Sequence, residues 1–354
     1  MDTLTHALSG ALAARATDPG RADPGALPPG RRAIVGFFAA AAPDLDYVVS
    51  FFSPVAYLLY HRGLTHSLFL LPLWAWLLAR AFALAWGRDR TWRAYYGACA
   101  LGIGAHIAGD LITGFGTMVF APFSDARLAL GTTFIIDLWF SGIVVAGLAA
   151  SAVWRRSRTP ALAGCALLAA YVAFQAQLQS RAQQFGAEYA RAAGLANAQV
   201  SALPRPVSPF NWMVIVRDGD DYHYSFVHLA RREPRRLEPD SGFIARLDAH
   251  YLPAAQAQWV RVGRFGSSEP ERALAREAWN RPELAFFRWF AVHPVLHRIE
   301  RRNPGACVWF QDLRFFTPGR DAWPFRFGVC READGEWRLF QLGTDGSRRP
   351  LPRG

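Results

Sequence analysis

His61-Arg62-Gly63-Leu64-Thr65-His66-Ser67 gathers two imidazoles, a guanidinium and two hydroxyls between apolar runs long enough to cross a bilayer. Histidines and carboxylates recur at the ends of those runs: His6, Pro43-Asp44-Leu45-Asp46 and His106-Ile107-Ala108-Gly109-Asp110. Ionisable groups in or beside membrane helices are costly, so each is a functional candidate. Neutral imidazoles and carboxylates, with Cys99 the one thiol near them, suit a divalent metal, zinc first and manganese second.

His106 and Asp110 stand four apart, so they share one helix face. Asp110 can ligate beside His106 or orient its imidazole; a polar pair joining helices would use the same spacing. Asp44 and Asp46 follow Pro43 at a helix break, where a turn could aim both carboxylates at neighbouring metals. Asp44 could instead cap the next helical turn. Gly63 permits a tight turn between His61 and His66. Arg62 would hold an anionic group or the charge of a phosphoryl transition state. Thr65 and Ser67 are candidates for nucleophile or hydrogen-bonding roles. The expected metal set is His6, Asp44, Asp46, His61, His66, His106 and Asp110; the expected catalytic set is Arg62, Asp44 and Thr65. Asp137 supports the site or joins helices. His223, His228, His250, His293 and His297 read as surface or packing residues, the last two on an expected helix.

These side chains need elements to position them. Residues 3–16 predict a short helix capped by Asp2 or Thr3. Five apolar stretches follow, near 33–52, 68–87, 94–114, 132–154 and 159–178, each long enough for about 30 Å of hydrocarbon. Pro43 should break the first. Arg31 and Arg32, then Arg88, Arg90 and Arg93, then Arg155, Arg156 and Arg158 fall in alternate connections, which makes them cytoplasmic. Residues 53–67, 115–131 and the C-terminal part then face outward. At about 1.5 Å per helical residue, Asp44, His106 and Asp110 rise roughly 18, 20 and 26 Å above their arginines, a shared depth band.

The chain has 354 residues, a hydrophobic fraction of 52 % and a net charge of +11, and it contains no lysine. That excludes Schiff-base lysines and a phosphate-loop lysine. Serine-hydrolase and nucleotide-loop signatures are missing, and the scattered arginines form no nucleic-acid module. From 212 onward, alternating strands, a helical block near 270–299 and strands at 306–316 and 323–342 predict an antiparallel α+β domain. Asp334-Gly335 is its hairpin turn. Cys307 and Cys330 could pair if this domain is exported. Residues 179–203 read as a polar helix, and Pro204 to Pro209 as a rigid linker. The expected architecture is an α-helical membrane domain (1–180) with about five transmembrane helices and a short N-terminal helix. A connector (181–204) and an α+β extra-membrane domain (205–354) follow.

Met1-Asp2-Thr3-Leu4-Thr5-His6, Pro43 to Asp46, His61 to Ser67 and His106 to Asp110 together resemble the YdjM-like family over about residues 1–180. Its members are described as inner-membrane, metal-dependent hydrolases, some under SOS (LexA) control. The stretch from Pro204 to Trp212 resembles a subgroup with an added C-terminal domain. The order of His and Asp motifs is distantly similar to zinc-dependent phospholipase C and related nucleases, which by analogy implies phosphoester chemistry. The resemblance implies a bacterial inner-membrane hydrolase, and the apolar stretches and arginine pattern make it multi-pass with a periplasmic C-terminal domain. Its expected partners are membrane lipids and a lipid-linked or small phosphoester, not nucleic acid. The competing class is a non-catalytic membrane protein with a structural metal and a partner-binding outer domain.

Overall fold

The computed structural model describes residues 1–19, 25–86, 90–301, 305–320, 323–332 and 334–352. Of the expected cytoplasmic arginines, Arg88 lies outside them. The chain divides into two compact units, Met1–Gln177 and Leu178–Gly354.

The first unit is helical. Helix α1 (Thr3–Ala16) starts at Asp2, whose carboxylate accepts from the Thr5 amide at 3.0 Å and the Thr5 hydroxyl at 2.7 Å. That satisfies one of the orphan donors of the first turn. Helix α2 (Pro29–Ala41) runs into a 3-10 segment, Ala42–Phe51, at the point where Pro43 removes an amide donor. Helices α3 (Pro54–Tyr60), α4 (Leu71–Ala85), α5 (Trp92–Leu111), α6 (Leu138–Val153) and α7 (Thr159–Ala192) follow.

All five apolar stretches are helical, but they do not give five full spans. Two described helices are long and apolar enough to cross a membrane, Pro29–Phe51 and Thr159–Ala192. A third candidate is the pair Pro54–His66 and Leu71–Ala85, bent by 79°. Helix α6 has 16 residues, which reaches only about 24 Å.

Glycines set how closely three of these helices approach. A Cβ on Gly10 of α1 would lie 2.4 Å from the Gly36 carbonyl of α2 and 2.3 Å from Ala40 Cβ. A Cβ on Gly102 of α5 would lie 2.7 Å from the same Gly36 carbonyl. Small residues let membrane helices touch backbone to backbone. Here they draw together the helices that carry His6, Asp44 and His106.

In the second unit, β1 (Gln199–Pro204), β2 (Asn211–Asp218) and β3 (Asp221–His228) form an antiparallel meander. β4 (Leu252–Pro253) joins β3 in parallel, and β5 (Val260–Gly263) joins it antiparallel. A second antiparallel sheet has the order β10-β9-β8-β7-β6, with β6 (Pro294–Arg301), β7 (Ala306–Asp312), β8 (Arg326–Arg331), β9 (Trp337–Leu342) and β10 (Arg348–Pro350). Helices α8 (Phe243–Ala249), α9 (Glu269–Trp279) and α10 (Ala285–Phe290) complete the unit. Trp279 of α9 lies 4.9 Å from Phe310, and Phe286 of α10 lies 5.0 Å from Phe327, so these helices pack on the second sheet through aromatic rings.

The α+β pattern and the Asp334-Gly335 turn are present, with Gly335 at φ 82°. Three local expectations change. The helix expected over 179–203 stops at Ala192, and 199–204 is strand β1. Pro204 pairs with Trp212, so residues 205–210 connect two strands of one sheet and are not an interdomain linker. The helical block expected to 299 ends at Phe290, and His297 lies in β6. Pro294, with the β-branched Val295 and Ile299 beyond it, favours an extended chain there. Cys307 and Cys330 stand opposite each other in β7 and β8 and are disulfide-bonded.

Candidate metal centre

The centre forms where the end of α2, the turn after α3, and helices α1 and α5 meet. His106 on α5 sets its chemistry. Its Nδ1 lies 2.6 Å from the Ala40 carbonyl oxygen, which can only accept, so Nδ1 carries the proton. In the neutral ring Nε2 is then a bare lone pair. His66 is fixed in the same sense. The Thr65 hydroxyl donates to Asp46 Oδ2 at 2.6 Å and so accepts from His66 Nδ1 at 2.8 Å. The two Nε2 lone pairs face each other across 2.9 Å.

Two carboxylates close on the same point. Asp110 Oδ2 lies 3.2 Å from His66 Nε2 and 3.5 Å from His106 Nε2. Asp44 Oδ1 lies 4.0 and 3.6 Å from them. Among the described residues, four acceptors thus converge with no donor between them, and Asp110 Oδ2 is buried without a hydrogen-bond partner. Buried acceptors in that arrangement call for a cation. His66, His106 and Asp110 form one group with metal-binding spacing, and His6, Asp44 and His106 form a second. The residues present therefore fit a divalent ion.

His6 stacks on His106 with ring centroids 3.8 Å apart, and its Nε2 lies 3.0 Å from Asp110 Oδ1. Its Nδ1 is buried and unpartnered. Gly109 leaves room for this ring, since a Cβ there would come 3.0 Å from His6 Cε1. The Met1 amino nitrogen also reaches Asp110 Oδ1, at 2.7 Å.

The other expected site residues stand one step back. His61 Nδ1 lies 2.6 Å from Asp46 Oδ1, and its ring stacks on Tyr57. Asp46 ties His61, Thr65 and the Arg62 amide together. Asp46 and His61 belong to neither metal group. Thr65 bridges Asp46 to His66. The Arg62 guanidinium meets Asp110 Oδ1 at 2.8 Å and donates to Thr113 at 3.1 Å, leaving Nε buried without a partner. Arg62, not Gly63, adopts the left-handed backbone, with φ 63°; this is uncommon outside glycine and found where function constrains the chain. Gly63 serves close approach instead: a Cβ there would come 2.8 Å from the Tyr60 carbonyl.

Ser67 accepts from the Phe69 and Leu70 amides, steering the chain into α4. Asp137 caps α6 through the Trp139 and Phe140 amides and accepts from Tyr171 at 2.9 Å, a helix-joining role. Ala40, Thr113 and Gly109 escape a reading by residue type. Only the Asp110-to-Thr113 spacing of three carries a sequence signal.

An apolar helical unit with buried imidazoles and carboxylates at its helix crossings defines a membrane protein with a candidate metal centre. The chain belongs to the YdjM inner membrane protein family, whose model matches residues 1–182. It is also similar to the uncharacterized protein YfhP of Bacillus subtilis (strain 168), with 29 % identity over 177 residues, 49 % of this chain and 51 % of that protein. The chain thus spans about half the length of the curated relative it matches. No solved structure matches it significantly.

Proposed function

We propose that the first unit is a membrane-embedded, metal-dependent hydrolase of a phosphoester or lipid-linked substrate. One observation carries the reading: the His66 and His106 Nε2 lone pairs converge with Asp110 and Asp44, each imidazole fixed by an acceptor on its other nitrogen. That outer support is what metal-ligating histidines show in general. A zinc ion held there, or manganese, would lower the pKa of bound water and polarise a phosphoryl oxygen.

The chain's residues divide the remaining work. Asp44 is the most open of the converging groups, with its side chain 13 % exposed against 0 % for His66, His106 and Asp110. Access therefore runs past Asp44. Leu45, Val48 and Phe51 of the same 3-10 segment, and Phe52 just after it, are all exposed. An apolar approach favours a substrate with a lipid portion. Arg62 holds Asp110 in place and adds positive charge beside the ligands, where phosphoryl oxygens would gather. Asp46 and Thr65 set the His66 tautomer.

In the proposed topology the arginine-bearing connections are cytoplasmic, all five apolar helices cross or enter the inner membrane, and the second unit is periplasmic. The Cys307–Cys330 disulfide supports an oxidising compartment for that unit. The test is metal content and turnover of detergent-purified protein with added zinc or manganese, against lipid and generic phosphoesters. His66→Ala and Asp110→Ala should lose metal and turnover together. A filled but inactive centre would leave the structural-metal reading standing.

A further inference from the structure

The second sheet carries a cluster that the proposed hydrolase does not use. Trp309 and Gln311 of β7 share one face, since alternate strand residues point the same way. The register places Arg298 of β6 and Gly328 of β8 beside Trp309. Gly328 is needed there: a Cβ would come 2.6 Å from the Trp309 ring. Arg326 lies two residues from Gly328, on the same face. Arg348 of β10 sets its guanidinium 5.9 Å from the Trp309 ring centroid and also contacts Glu300.

Charge and hydrogen bonding are both unbalanced on this face. Arg298 meets Glu300 at 2.6 Å and Arg348 contacts the same carboxylate, while Arg326 has no ion pair among the described residues. Arg326 is 5 % exposed, and among the described residues its one hydrogen bond is to the Gly343 carbonyl. Among the described residues, Trp309 Nε1, Arg326 Nε and Arg348 Nη1 are buried donors without partners. Buried donors are normally satisfied, and buried charge is normally paired. An excess of two positive charges, with unfilled N–H groups on guanidinium and indole, matches a phosphate oxyanion.

We propose that this face of the second sheet binds a phosphate group, gripped by Arg326, Arg348 and the Trp309 indole N–H. The phosphate could come from a soluble phosphate compound or from a lipid headgroup, and the chemistry of the grip is the same. The inference is independent of the metal centre.

The test uses full-length, detergent-purified protein treated with chelator, so that no phosphate is held through metal. Inorganic phosphate and glycerophosphoglycerol, the diester of a common lipid headgroup, are titrated by calorimetry. The unmodified protein should bind at least one of them, and the tighter ligand identifies the source. Arg326→Gln should weaken binding about tenfold or more, the loss of a charge-assisted hydrogen bond. Trp309→Phe keeps the ring and removes the donor, so it should weaken binding several-fold and keeps the test open if Arg326→Gln fails to fold. No binding by the unmodified protein, or equal binding in a folded Arg326→Gln and in Trp309→Phe, would overturn the proposal.

Discussion

Replacing Gly36 by alanine tests whether helix contact builds the centre. The added Cβ would sit 2.5 Å from Ala14 Cβ and 2.5 Å from the Gly10 carbonyl. Carbon atoms pack at about 3.5–4.0 Å, so α1 and α2 must part by about 1 Å. His6 rides on α1, Asp44 follows α2, and His106 is oriented by Ala40 of α2. Metal–ligand distances tolerate only about 0.2 Å, so the ligands would be moved several times that allowance. Metal affinity should fall at least about tenfold, or ~1.4 kcal/mol, and overpacking should lower stability by about 1–3 kcal/mol. Gly142 of α6 is the control, because an added Cβ there meets nothing within 4 Å. Zinc binding measured by competition with a chromophoric chelator, alongside thermal midpoints, reads both effects. Wild-type affinity in Gly36→Ala would refute the claim that this crossing sets the ligand geometry.

His66→Ala and His106→Ala should strongly lower bound metal, measured by elemental analysis, while His293→Ala and His297→Ala should leave it unchanged. Thr65→Val should cost about 10–100-fold in affinity, the usual range for a residue that orients a ligand, and less than His66→Ala; an equal or larger loss would make Thr65 a ligand. Reporter fusions near residue 205 should show phosphatase activity, which requires export, and a cytoplasmic signal would overturn the proposed topology. Burial pushes the His293 imidazole down to about 4. The unfolded chain therefore binds a proton that the native state refuses, and stability should fall as pH drops from about 6.5 towards 4, by about 3 kcal/mol over the full window. His293→Gln should reduce the slope of the denaturant-midpoint profile between pH 6.5 and 5, above the range where unfolded carboxylates titrate, and leave the part due to His297, which burial also lowers to about 4.

What the sequence disclosed follows from where chemical identity resides. His6, Asp44, His66, His106 and Asp110 were legible because ionisable side chains are rare in apolar runs, and the structure brings those five together. Asp46 and His61 carry the same signal, yet they form an adjacent pair, since residue type does not fix which carboxylate oxygen faces which ring. The Ala40 carbonyl is invisible in principle: every residue has one, and only the close crossing of α2 and α5 aims it at His106 Nδ1. Close helix approach did leave a trace, in the small residues Gly10 and Ala14 of α1, Gly36 and Ala40 of α2 and Gly102 of α5. In the second unit the hairpin around Asp334-Gly335 was legible from its turn chemistry. His293 and His297 were misplaced because short apolar runs satisfy helix and strand periods equally well. The choice there was made by Pro294 and by pairing with β7, the next strand along the chain. Within the first unit, the same division between side-chain identity and backbone placement makes Gly36→Ala more informative than another ligand deletion. Removing a ligand tests chemistry already written in residue types, whereas separating two helices tests the part that only the fold supplies.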